Sequence, residues 1–305
     1  LFVFSWFEVF GSPMNPGEIV FRNYDQDQLE QQFRLDQVDN LQEWFTLREE
    51  ISRQARLSYH CQADICYAEG KHRTLDVFSN RDKPNNGAVQ IFIHGGFWHS
   101  LDAKVFSFIS NGFCPDGTVT VVIDYPLFPD ADFQEILQSC QNAIQWVYQN
   151  ADSLEIDRKR IHISGNSAGG HLVTLLMHRD WPKKFGLPPD LIAGGCAISG
   201  IYDLTPVRLS SKNEILNLSL EDVERFSSIR HIPEEASELL FFVGSEETNE
   251  FLVQQEEIQQ SWHNAGLQSS AEICPGRNHI DMLMQEFADP SSSMNQQVRT
   301  QMGIL

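Results

Sequence analysis

The sequence predicts an α/β fold, a mostly parallel central sheet flanked by helices, and three observations carry that expectation. Segments of helical periodicity alternate with short β-branched and aromatic runs, the pattern of strands joined through crossover helices. A chain of 305 residues, 41% of them hydrophobic, is long enough to bury one large core. No repeat, low-complexity tract or clear linker divides it, so residues 23–305 read as a single domain.

Composition narrows the function classes. With 22 Lys and Arg against 42 Asp and Glu, the formal net charge is −20, and no run of basic residues exists. Phosphate neutralisation needs a basic patch, so nucleic acid is excluded as a partner, and an anionic membrane surface is excluded for the same reason. The six cysteines are scattered without a C-x-x-C pair, which fits reduced, buried thiols in a cytoplasmic protein. Clustered Cys/His spacings are missing, so neither a metal nor another cofactor is expected. Homodimerisation stays open as an expectation.

The elements follow in order. Residues 1–22 are set apart as an N-terminal leader. Its first ten, LFVFSWFEVF, are apolar but too short to span a bilayer, and they lack the basic start and small-residue cleavage site of a signal peptide. Two readings remain for residues 1–13: read-through upstream of a start at Met14, or a short segment packing on the body. Asp25 to Ala55, with Leu29, Phe33, Leu41, Trp44, Phe45 and Ile51 among many Gln and Glu, predicts two amphipathic helices. Strands are expected at Thr74–Phe78, Ala88–Ile93 and Thr118–Ile123, with a turn at 83–87 (KPNNG) between the first two. Phe133, Ile136, Leu137, Cys140, Ala143, Ile144 and Val147 share one face of a helix that Asp132 and Glu135 start as a capping box. A short strand at Ile161–Ser164 precedes a helix from Ala168. Further strands are expected at Leu191–Ile198, Leu239–Val243 and Ala271–Cys274, then a helix from about Ile280. Residues 203–237 are polar and irregular, the size of a small cap over a site.

The chemistry gathers at two turns. Gly165-Asn166-Ser167-Ala168-Gly169 lies between a predicted strand and a predicted helix, where a G-x-S-x-G turn lifts a serine above the sheet edge. Its strained backbone demands small residues two before and two after the serine. The helix start behind it favours a developing anion. His94-Gly95-Gly96-Phe97-Trp98 follows another strand, and its glycines let backbone amides approach a substrate. Acyl transfer needs such donors, each worth about 3–4 kcal/mol to an oxyanion. The candidates are the amides of Gly95, Gly96 and Ala168.

A serine needs a base, and the base needs an orienting carboxylate, in the chain order Ser, acid, His. Among ten histidines, His279 lies in a loop after the last short strand, whereas His231 and His263 sit in poorer contexts. The acid is expected after the strand 239–243, at Glu246, Glu247 or Glu250. Glu247 is preferred, with Asp203 as the fallback and Asp281 too close to His279 to orient it. Trp98 and Tyr202 are expected to pack against an aromatic leaving group, the alternative being ordinary core packing.

With HGGFW at 94–98, GNSAGGHL at 165–172, SGIYDL at 199–204, Glu247–Phe251 with Gln254 and Gln255, and NHID at 278–281, the chain resembles the kynurenine formamidase (arylformamidase) branch of the α/β-hydrolases, near the hormone-sensitive-lipase-like esterases. The resemblance runs from about Asn23 to Phe287. It departs at Phe97, where the family usually has Tyr, at Asn166, often His, and at Glu247, commonly Asp. It implies an α/β-hydrolase fold with a small helical or irregular cap at 203–237. Ser167, Glu247 and His279 would be nucleophile, acid and base, with Gly95, Gly96 and Ala168 as oxyanion donors. The implied substrate is a small molecule: N-formylkynurenine, losing its formyl group, or a short acyl or aryl ester. A general short-chain carboxylesterase and a non-catalytic binding protein on the same fold are the alternatives.

Overall fold

A computed structural model describes residues 17–305. The leader lies largely outside the described residues, Met14 included. Eight strands form one sheet: β1 (His60–Cys66), β2 (Thr74–Ser79), β3 (Gly87–Ile93), β4 (Val119–Ile123), β5 (Ile156–Asn166), β6 (Gly194–Ile198), β7 (Leu239–Gly244) and β8 (Ser269–Cys274). Their spatial order is β1-β2-β4-β3-β5-β6-β7-β8, with β1 and β2 antiparallel to their neighbours and every pair from β4 to β8 parallel. This is the α/β-hydrolase arrangement.

Strict alternation along the strands divides the core. Val89, Ile91, Ile93, Ile163, Ala197 and Phe241 face one side. Ala88, Phe92, Val122, Cys196, Leu240 and Phe242 face the other. Both faces are covered, so the parallel strands read as continuous apolar runs rather than half-polar ones.

The helices are α1 (Gln26–Gln32), α2 (Leu41–Ser58), α3 (Phe133–Gln149), α4 (Ala168–Leu176), α5 (Asp180–Lys184), α6 (Thr205–Leu209), α7 (Asn213–Leu216), α8 (Leu220–Phe226), α9 (Asn249–Asn264) and α10 (Ser293–Gln301). Among the described residues none is long and apolar enough to cross a membrane. The capping box at Asp132 forms as the sequence predicts, its carboxylate accepting from the Glu135 amide. Segment 203–237 is more regular than expected, since α6, α7 and α8 lie within it. Their brevity hides the helical period.

Several elements escape the sequence reading. Strand β1 is an exposed edge whose side chains show no apolar alternation. The N-terminal part of β5 is polar, from Asp157 to Arg160, and a 3₁₀ segment at Ala103–Gly112 repeats every three residues, so it lacks the period of about 3.6 residues of an α-helix.

Two histidines are buried deep in this scaffold. Burial pushes both His162, on β5, and His171, on α4, from the usual 6.5 to about 4, with Arg160 adding to the effect on His162. His171 donates from Nε2 to the Phe226 carbonyl at 2.7 Å, which ties α4 to the end of α8. Because the folded pKa values lie below the unfolded ones, the unfolded chain binds more protons between pH 6.5 and about 4. Stability contributed by the neutral imidazoles is present above that window and lost as pH falls through it, at most about 3 kcal/mol per histidine. Urea midpoints are therefore expected to drop between roughly pH 7 and pH 5; equal midpoints would show that these rings titrate normally.

Candidate active site

Parallel strands deliver their following loops to one sheet edge, and the residues of interest arrive there in spatial order. Ser167 follows β5, Ser199 follows β6, Glu247 follows β7 and His279 follows β8. Since β5, β6, β7 and β8 are consecutive neighbours, each step along the edge is about 5 Å.

Ser167 stands at the N-terminus of α4 with φ 56° and ψ −118°, left-handed backbone strained for an L residue. Its amide donates to the Ile198 carbonyl at 2.8 Å, and its carbonyl accepts from His171 at 3.1 Å. The flanking glycines are sterically required. A Cβ on Gly165 would lie 2.4 Å from the Gly169 carbonyl, and one on Gly169 would lie 1.9 Å from the Ile93 carbonyl oxygen.

The turn at 94–98 packs directly on this elbow. A Cβ on Gly95 would meet the Asn166 carbonyl at 2.9 Å and the Ser167 Cβ at 3.1 Å. Gly96, Phe97 and Trp98 all have positive φ, and the Gly96 carbonyl accepts from the amides of His99 and Ser100, both at 3.1 Å. His94 braces the turn by donating from Nδ1 to the Gly95 carbonyl at 2.7 Å, while its own carbonyl accepts from Tyr125 at 2.8 Å. Asp124 lies 3.5 Å from His94 Nε2. Burial pushes the Asp124 carboxyl up, but the His94 contact and the Ala103 amide outweigh it, so the net shift is downward. Among the described residues, the amides of Gly95, Gly96 and Ala168 donate to no protein acceptor. They are free for a ligand oxygen.

Glu247 and His279 meet although they come from separate loops. His279 Nδ1 lies 2.6 Å from Glu247 Oε2, and both side chains are buried. The other carboxylate oxygen accepts from Ser199 Oγ at 2.5 Å and from the Gly244 amide at 2.9 Å. The Phe251 ring, from α9, backs the imidazole with centroids 4.5 Å apart. Ser167 Oγ and His279 Nε2 form no hydrogen bond here; such contacts commonly tighten only around a bound substrate.

The other carboxylates are engaged elsewhere. Asp203 accepts from the amide and hydroxyl of Thr205 and lies 3.5 Å from Arg230. Glu246 is exposed. Glu250 is buried beside Arg22 and accepts from Gln254 at 2.9 Å. Asp281 accepts from the Asn278 amide at 2.8 Å, closing the loop that presents His279. Trp98 and Tyr202, expected against a leaving group, are both wholly buried. Trp98 meets Phe133 and His171 edge-on, and Tyr202 meets Phe241 edge-on, so both rings belong to the core. Among the described residues no cluster of three or more His, Cys, Asp or Glu suits a metal ion.

Ser199, Gln254 and Phe33 are given no role at the site by the sequence alone, although the first two lie in the motifs that carry the resemblance. Ser199 had a signal, a small polar residue directly past an apolar strand. Phe33 had none, because its role is tertiary: it lies edge-on between Phe97 of the glycine turn and Phe251 behind His279. A cavity of about 360 Å³ opens beside His279, walled by Arg34, Val38, Glu246, Phe251 and Asn278.

Known proteins agree with this architecture. The BD-FAE family model matches residues 75–185. The kynurenine formamidase of Salmo salar is 24% identical over 93% of this chain and 98% of its own length. That of Danio rerio is 26% identical over 73% of this chain and 75% of its own. An arylesterase of Saccharolobus solfataricus is 38% identical over a shorter stretch, 35% of each chain. Among solved structures, the Pyrobaculum calidifontis esterase superposes with a TM-score of 0.67 at 16% identity, covering 92% of this chain and 97% of that one. The resemblance read from the sequence motifs therefore holds.

Proposed function

We propose that this kynurenine formamidase-like α/β-hydrolase is a serine hydrolase, with Ser167 as nucleophile, His279 as general base and Glu247 as the carboxylate that orients the imidazole. The observation that carries the reading is the 2.6 Å contact between His279 and Glu247, on the same sheet edge as a serine strained to φ 56°. His279 takes the Ser167 proton, and Ser167 attacks the formyl or acyl carbonyl. The amides of Gly95 or Gly96 and of Ala168 receive the oxyanion. His279 then protonates the departing amine or alcohol, and water activated by the same ring releases formate or a short acid.

The substrate we propose is N-formylkynurenine. The likeness to a kynurenine formamidase over 93% of this chain and 98% of that relative supports this choice. The leaving group must lie against His279, its proton donor, and the cavity of about 360 Å³ there is within the size range of small-molecule sites. A short-chain carboxylesterase is the second reading, favoured by the 38% identity to an arylesterase over 109 residues. All six cysteines are unpaired, which supports action in a reducing compartment, the cytoplasm.

Hydrolysis of N-formylkynurenine and of a short-chain nitrophenyl ester, each with Ser167→Ala as control, tests the proposal. Fast, serine-dependent deformylation is expected. Ester turnover alone would keep the triad and move the assignment to a carboxylesterase, whereas failure of a serine-directed phosphonate to label the wild type would leave a binding protein.

A further inference from the structure

We infer that Ser199 is a positioning residue that holds Glu247 for catalysis; the inference rests on the triad reading of Ser167, Glu247 and His279. Ser199 is the first residue past β6 and is buried. Its amide donates to the Phe242 carbonyl at 2.7 Å, which pins its backbone to β7. Its hydroxyl donates to Glu247 Oε1 at 2.5 Å, where the Gly244 amide also donates at 2.9 Å. The second carboxylate oxygen faces His279 Nδ1 at 2.6 Å. Glu247 is thus gripped at both oxygens, and only one grip belongs to the proposed base.

The backbone at Ser199 is costly for what would otherwise be an unremarkable serine. Its φ is 50°, in the left-handed region where glycine is at ease and other residues are strained. The next residue cannot carry a side chain, since a Cβ on Gly200 would lie 2.5 Å from the Tyr202 ring. The stretch beyond is held from α9: Gln254 Oε1 accepts from the amides of Tyr202 at 2.6 Å and Asp203 at 2.9 Å. The loop after β6 is therefore locked to the helix that begins just after Glu247, with the Ser199 hydroxyl turned toward the carboxylate.

Two chemical reasons make this grip functional. A glutamate has one more side-chain torsion than an aspartate, so presenting Oε2 to the imidazole requires the far oxygen to be fixed as well. The donors that fix it, a hydroxyl and an amide, are neutral, so the full negative charge of Glu247 remains to meet the imidazolium that forms when His279 takes a proton. Ser199 contacts no reacting atom and acts only through Glu247.

The experiment is a double-mutant cycle read by kcat and KM on the nitrophenyl ester and on N-formylkynurenine. Ser199→Ala and Ser199→Gly are each made in the wild type and in Glu247→Ala. Ser199→Gly relieves the strained backbone, so its effect is not one of misfolding. Both substitutions are expected to lower kcat about tenfold, the size of one hydrogen bond to a charged group, with KM moving less than about twofold. In the Glu247→Ala background they are expected to change kcat by less than about twofold. Wild-type kcat in Ser199→Gly, or an equal loss in both backgrounds, would overturn the inference. Phosphonate labelling of the wild type separates the two levels: a labelled enzyme indifferent to Ser199→Gly refutes only the role of Ser199, and an unlabelled one refutes the triad and this role together.

Discussion

Ser167→Ala is expected to lower kcat on either substrate by about 10⁴-fold or more while leaving the folded chain intact. The hydroxyl is small, its only covalent change is the loss of one oxygen, and among the described residues it bonds to nothing that holds the fold. The amide of residue 167 still donates to Ile198, and glycines 165 and 169 still permit the turn. Alanine also retains a β-carbon at φ 56°, so the elbow keeps its existing strain. The measurement is turnover by the purified variant beside its thermal midpoint. A variant that melts like the wild type and retains more than about a tenth of its kcat would place the nucleophile elsewhere.

The second large effect separates the carboxylates. Glu247→Ala is expected to cost about 10³- to 10⁴-fold in kcat, because His279 loses the partner that fixes its tautomer and balances its positive charge. Asp203→Ala is expected to change kcat by less than about threefold. Asp203 is committed to Thr205 and Arg230 at the start of α6, and no hydrogen bond links it to His279. Steady-state kinetics of the two single variants decide the matter. A collapse in Asp203→Ala with Glu247→Ala near wild type would reverse the assignment of the acid.

What was legible in the sequence is local. The apolar runs of β3, β4, β6 and β7, the periodicity of α3 and the Asp132 capping box depend on neighbours in the chain, so residue order encodes them. The strand-turn-helix around Ser167 belongs with them, since Gly165 and Gly169 meet atoms only a few positions away or on the adjoining strand. Elements without such patterning escaped: β1 is a solvent-facing edge, and α6, α7 and α8 are too short to show a period.

Side-chain partnership was decided only by tertiary structure. Four acidic residues were compatible with the acid position, and sequence spacing ranked them without joining any to His279. The register of β7 against β8 brings Glu247 to 2.6 Å from the imidazole. The same packing turns Trp98 and Tyr202 into the core, although their sequence positions suited a pocket wall. It also recruits Phe33 from the N-terminal helices to a place between Phe97 and Phe251. The amino-acid order determines which segments become strands, helices and tight turns, because backbone sterics and apolar periodicity act over a few residues. Which side chains share a hydrogen bond is set by sheet register and layer packing, where a displacement of one ångström makes or breaks the contact.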